Sequence, residues 1–218
     1  MIEFFNLKTI MAEQHKQPLD PAASPRLFKN PILDKLSRTH ISIPIIILGG
    51  AAAGIAVYGF FHGKITIYNF ILFFLLGVFV FTFVEYMMHR YLYHLAPTTE
   101  KRKKIQYTIH GVHHDHPNDK ERLAMPPAFS VALATLVFLF LRWVLGDQAF
   151  GFAPGFFLGY SLYLFIHYSV HIFTPPRNFL KQLWVHHGMH HYKQPEKAFG
   201  VSSPLWDYVF GTMPERKR

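Results

Sequence analysis

Ten histidines fall into four short clusters, spaced as metal ligands on helices would be. His89 and His94 bracket HRYLYH, and His110, His113 and His114 form HGVHH. His167 and His171 bracket HYSVH, and His187, His190 and His191 form HGMHH. At about 100° per residue, positions i, i+3 and i+4 share a helix face, so each HxxHH triple presents three imidazoles in one arc. HYSVH presents two, one turn apart. His89 and His94 sit roughly 140° apart on a regular helix, so they would straddle a site or lie where the helix loosens. Imidazole suits iron, zinc and copper, and one ion takes at most about six protein ligands, so ten imply two ions. Uncharged ligands leave such ions electrophilic and open to dioxygen or hydroxide. Glu85, Asp115, Asp119 and Asp207 are expected to bridge the ions or to accept imidazole N–H groups from behind. His116 and His186 adjoin the clusters out of phase and are placed in that outer layer. His15, His40 and His62 stand alone and read as interfacial or hydrogen-bonding residues.

The elements that position these clusters are apolar. Of 218 residues, half are hydrophobic and 17% aromatic, with 23 Phe. Charged residues make up 16%, against about 25% in a soluble domain. No Cys is present, which excludes disulfides, thiolate sites and iron–sulfur clusters within the chain. Four stretches, about 41–61, 65–88, 128–145 and 152–170, are long enough to cross or nearly cross a bilayer. The short HGK link at His62–Lys64 makes the first two a hairpin, and the last two make a second. Gly49, Gly50 and Gly54 in the first stretch suit close helix packing in lipid. The Phe-rich runs FILFF and FVFTF read as lipid-facing and packing residues.

This organisation predicts an all-α integral membrane protein. A cytosolic arm, residues 1–40, precedes a membrane-embedded domain, 41–218, whose cap comes from 89–126 and 171–218. The arm is expected to hold one interfacial helix. The arm, the central segment and the C-terminal segment carry six, seven and seven of the 22 Lys and Arg, leaving Lys64 and Arg142 for the far side. Because Lys and Arg near spans prefer the cytoplasm, both termini are expected there. All four histidine clusters then meet at that one face. The formal net charge of +9 is dispersed along an apolar chain, which argues against nucleic acid as a partner. Lys101–Lys104 (KRKK) reads as a patch facing lipid headgroups or an acidic redox partner. A metal transporter would place ionisable residues near mid-bilayer, and a haem protein would face paired histidines within the bundle. Here the histidines lie at span ends.

The four motifs HRYLYH, HGVHHDHPNDKERLAMPP, HYSVH and HGMHHYKQPEKAFGVSSPLWDYVFGT, spanning about residues 75–214, resemble the fatty acid hydroxylase or sterol desaturase superfamily. RLAMPP and the terminal GVSSPLWDYVFGT are most like the fatty acid 2-hydroxylases. The resemblance implies a four-helix membrane base with a cytosolic helical cap around a dinuclear centre. Its ligands would be His89, His94, His110, His113, His114, His167, His171, His187, His190 and His191. Iron is the implied working metal, with zinc able to occupy the same ligands, and O2 is the implied co-substrate. The implied reaction places one oxygen atom at C2 of a long acyl chain, in a free fatty acid or a ceramide-like sphingolipid. Sterol or carotenoid hydroxylation, or desaturation, is the alternative on the same scaffold. Gly200, Trp206, Asp207 and Tyr208 are candidates for shaping the cap over substrate. No fused cytochrome b5 domain is seen, so electrons are expected from a separate cytochrome b5-like protein or from a ferredoxin with its reductase. The membrane would be the plasma membrane in a bacterium and the endoplasmic reticulum in a eukaryote.

Overall fold

The computed structural model describes residue 20 and residues 22–215. The rest of the N-terminal arm, with His15, and the basic residues after Glu215 lie outside the described residues. Among the described residues every regular element is helical. A short helix α1, Pro31–Leu36, starts at Asn30, whose side chain accepts from the Ile32 and Leu33 N–H groups, with Pro31 in the first turn. The long helices α2, Ser42–Phe61, and α3, Ile67–Met87, follow. Thr66 caps α3 by accepting from the Asn69 N–H. Helix α3 runs on through a widened turn, Met88–Tyr93. The central segment holds α4, Glu100–Gln106, a second widened turn, Tyr107–Gly111, and α5, Val112–Asp115. Pro127 opens α6, Pro127–Leu145; a 3-10 turn at Gly146–Gln148 leads to α7, Ala149–Ile172. Gly146 adopts φ 57°, a left-handed conformation that glycine tolerates without cost. The C-terminal segment supplies α8, Lys181–Tyr192, and α9, Leu205–Val209.

Three helical stretches are long and apolar enough to cross a membrane: Ser42–Phe61, Ile67–Tyr93 and the 46-residue Pro127–Ile172, which contains the Gly146 turn. Their outward faces carry large exposed apolar residues such as Ile46, Leu72, Leu136 and Trp143. That exposure suits a lipid solvent, as helices apolar all round require.

Helix α7 is the centre of the bundle and packs against α2, α3 and α6. Its contact with α3 is backbone to backbone. A Cβ on Gly155 would collide with the main chain of Phe74, and one on Gly77 with that of Phe152 and Phe156. Gly151 and Gly159, one turn either side, lie against Ile65, Phe73 and Phe81. Gly151, Gly155 and Gly159 form a small-residue stripe at four-residue spacing, the pattern that lets helices approach closely in lipid. Gly49, Gly50 and Gly54, expected to do this work, meet nothing within 4 Å and face outward. Their spacing says that a close approach is possible, and only a neighbour decides which face uses it. The crossing matters because α3 leads into His89 and α7 ends in His167 and His171.

The arm is tied to the central segment. Asp34 accepts from the Leu27 N–H and pairs with Arg38 at 3.0 Å and Arg122 at 3.3 Å. Burial alone would raise the Asp34 carboxyl, but the Leu27 N–H and the two guanidinium groups outweigh it and hold the carboxyl below its usual range. The Thr39 N–H donates to the Glu121 carbonyl, and the His116 Nδ1–H donates to that of Asp20.

Candidate metal centre

The ten clustered histidines meet in two groups of five. One comprises His89, His94, His110, His114 and His190, and the other His113, His167, His171, His187 and His191. Within each group one ring nitrogen per residue lies within 4.8 Å of all the others. Each HxxHH triple is therefore divided, not aimed at one point. His110 and His114 enter the first group while His113 enters the second; His187 and His191 enter the second while His190 enters the first. Helix geometry gives the reason, since i and i+4 differ by about 40° whereas i+3 and i+4 differ by about 100°. The motif is a bridge with two ends.

His89 and His94 converge because the helix widens. The His94 N–H bonds to the His89 carbonyl five residues back, at 3.1 Å, which brings residues five apart into register. Their ring centroids lie 5.2 Å apart. A second wide turn, Tyr107–Gly111, precedes α5 and presents His110.

Nearest contacts within the groups run between Nε2 atoms. His110 Nε2 is 3.1 Å from both His89 and His114, and His94 Nε2 is 3.0 Å from His190. In the second group His113 and His167 approach to 3.0 Å, and His171 and His187 to 2.8 Å. Two ring positions are fixed from behind by carbonyls, which only accept. His89 Nδ1–H donates to Phe199 O at 2.6 Å and His190 Nδ1–H to Lys197 O at 2.7 Å. Both therefore present an Nε2 lone pair inward, and a single Nε2–H on His110 cannot serve both of its neighbours. A cation resolves the conflict. Two nitrogens about 2.1 Å from one ion and at right angles to each other lie about 3.0 Å apart, matching these contacts. His191 gives further support, with both ring nitrogens buried and unpartnered.

Six of the ten side chains are buried, and His94, His114, His171 and His191 are half-buried. Burial keeps the rings neutral, the form that binds metal. It lowers His94 to about 4. With neighbouring imidazoles adding repulsion, it lowers His114 to about 2 and His190 to about 3. His110, His113, His187 and His191 are pushed well down for the same two reasons.

The acids behind the histidines serve the loop that supplies those carbonyls. Asp207, fully buried, accepts from the Phe199 and Gly200 N–H groups, the Thr212 hydroxyl and His186 Nε2. Burial would raise its carboxyl, but these four bonds outweigh the effect and hold it below its usual range. Thr212 passes the network to the Tyr86 hydroxyl and on to Arg90. Glu85 accepts from the Val201 and Ser202 N–H groups and from the Ser202 hydroxyl. Asp115 is half-buried, and Asp119 pairs with Arg122 at 3.5 Å. His116 bonds to Asp20 as above. Trp206 Nε1–H donates to Thr82, whereas the Tyr208 side chain is exposed. His40 and His62 lie apart from both groups, His62 stacked on Tyr58. Sequence reasoning passed over Tyr93, stacked on His110, and Tyr163, stacked on His167. It also passed over the carbonyls of Lys197 and Phe199, because a backbone acceptor leaves no mark in residue type.

Comparison with known proteins gives the chain's family. A dihydroceramide fatty acyl 2-hydroxylase of Arabidopsis thaliana is 39% identical over 146 residues, which are 65% of this chain and 60% of that protein. The fatty acid 2-hydroxylase of Rattus norvegicus is 38% identical over 145 residues, 64% of this chain and 39% of that protein. The chain thus spans about half the length of these relatives. A solved structure of full-length scs7p, in which only the hydroxylase domain is visible, superposes with a TM-score of 0.73 at 32% identity. The superposition covers 88% of this chain and 74% of that one. Residues 74–212 match the family described as fatty acid hydroxylase, a stretch that contains all ten clustered histidines, and the chain belongs to that family.

Proposed function

We propose that this protein is a membrane monooxygenase that hydroxylates C2 of a long acyl chain, in a fatty acid or a ceramide-like lipid, with two irons held by the ten histidines. The observation that carries this reading is the pair of largely buried five-histidine groups, in each of which five ring nitrogens crowd within 4.8 Å of one another. The relatives' names supply the substrate class. Bound there, the irons would supply dioxygen activation and the oxidising power to break an unactivated C–H bond. The reaction consumes O2, two electrons and two protons, and yields the C2 alcohol and water. The electrons would come from a cytochrome b5-like protein or from a ferredoxin with its reductase.

The protein's own part is electrostatic and positional. The rings stay neutral and leave the ions' charge to the oxygen chemistry. The carbonyls of Phe199 and Lys197 fix the tautomers of His89 and His190, and Asp207 fixes the loop bearing those carbonyls. The chain crosses the membrane four times as two hairpins, with the turn at Gly146 on the far side and both termini in the cytosol. The 20 Lys and Arg on one side support this topology. Residues 41–218 are then the catalytic unit and 1–40 a cytosolic arm.

Expression of the chain with a redox donor should yield 2-hydroxy acyl lipids on mass spectrometry. His113→Ala and His190→Ala should abolish the product and lower bound metal, and His62→Ala should do neither. Unchanged hydroxylation in the two ligand variants would overturn the assignment.

A further inference from the structure

A cavity of about 190 Å³ lies between the end of α7 and helix α8 and reaches His171 and His187 of the second group. At about 30 Å³ per water-sized group it has room for roughly six such groups. That is too little for a long acyl chain and enough for its polar end and first carbons. Half-buried Asn118 lines the cavity and brings a side-chain amide to it. Trp184 forms another wall and is fixed by an Nε1–H bond to the Phe173 carbonyl at 2.9 Å. Gly188, also lining it, faces open space, since a Cβ there meets nothing within 4 Å. Exposed Phe173, Val185 and Tyr192 stand close by, an apolar approach for a lipid.

We propose that this cavity seats the carbonyl end of the acyl chain, with Asn118 Nδ2–H donating to the C1 oxygen so that C2 lies beside the second histidine group. The proposal rests on the hydroxylase reading and deepens it. A long hydrocarbon has many equivalent methylenes, and anchoring C1 is what distinguishes C2 from C3. It also makes the two groups unequal, since the second faces substrate.

Binding can be read without turnover. Full-length protein in detergent is titrated with 2-bromohexadecanoic acid or 16-bromohexadecanoic acid while tryptophan fluorescence is followed, because bromine quenches on contact. The C2 bromine should quench a component that Trp184→Phe lacks, and the terminal bromine should not. Gly188→Leu, which fills the cavity, should remove that quenching at unchanged bound metal and melting temperature. In turnover, Asn118→Ala should lower the ratio of 2-hydroxy to 3-hydroxy product about tenfold, the scale of one positioning hydrogen bond, and Asn118→Ser should recover part of it. Equal or stronger quenching by the terminal bromine would overturn the seat, as would quenching that survives Gly188→Leu or an unchanged product ratio in Asn118→Ala. The two readings fail separately. Wild-type protein that makes no hydroxylated lipid but shows Gly188-dependent quenching retains the seat and loses the hydroxylase; active protein without quenching of Trp184 does the reverse.

Discussion

The two histidine groups share a ligand count and differ in what stands behind them. In the first, His89 and His190 are anchored through Nδ1 to the carbonyls of Phe199 and Lys197, on a loop held by buried Asp207. In the second, the Nδ1 atoms of His113, His167, His187 and His191 are buried without partners, and two of the five residues stand on the long helix α7. The first group is aimed by a hydrogen-bonded loop, whereas the second is aimed by helix packing. The second also opens to the cavity beside Asn118. One site built for rigidity and one built for access is a physical division of labour.

The strongest test of that division removes one ligand at a time. His190→Ala should lose the ion of the first group and His187→Ala that of the second, each leaving about one metal per chain and product below about 1% of wild type, measured by metal analysis and mass spectrometry. Loss of both ions in either variant would show a single cooperative unit and break the comparison. Next in size is Asp207→Ala, which frees the Phe199–Gly200 loop. It should weaken the first site about 10- to 100-fold, as loss of an outer support does, and spare the second, measured by competition with a chelator.

Acid acts on metal-free protein in a direction set by the lowered pKa values. The rings of His94, to about 4, and His190, to about 3, stay neutral in the fold, while unfolded histidines gain a proton below about 6.5. The unfolded chain then binds more protons, so this stability is complete above about pH 6.5 and is lost as pH falls toward 4. The melting temperature of chelated protein should fall across that window, and His94→Gln should flatten the slope more than His62→Gln.

The smallest effects separate helix packing from loop anchoring. Gly155→Val forces a side chain into the Phe74 backbone and should cost about 1–3 kcal/mol, read as a lower melting temperature in detergent. Loosening α7 should release the ion of the second group before that of the first. Gly54→Ala, facing open space, should stay within about 0.5 kcal/mol of wild type.

Much of the site can be read in the sequence because ligand chemistry belongs to residue type. Imidazoles at three- and four-residue spacing, an apolar framework and basic segments around it need no neighbours to be recognised. The same reading could not divide HGVHH and HGMHH between the two groups, because helix periodicity states relative angles and not what lies at each angle. Nor could it close the gap between His89 and His94. The widened turn comes without a glycine or proline in HRYLYH, and the sequence there looks like ordinary helix. The glycine stripe on α7 and the outward glycines on α2 look alike as strings.

By itself, then, the sequence determined which imidazoles cluster at helical spacing and the helical, membrane-suited character of the chain. These follow from the chemistry of single side chains and from local periodicity. Tertiary structure decided which histidine joins which partner, which carbonyls fix the tautomers of His89 and His190 and where an open cavity meets His171 and His187. Each of those is a distance between residues up to about a hundred positions apart, as between His89 and Phe199, and such a distance exists only once the backbones have packed.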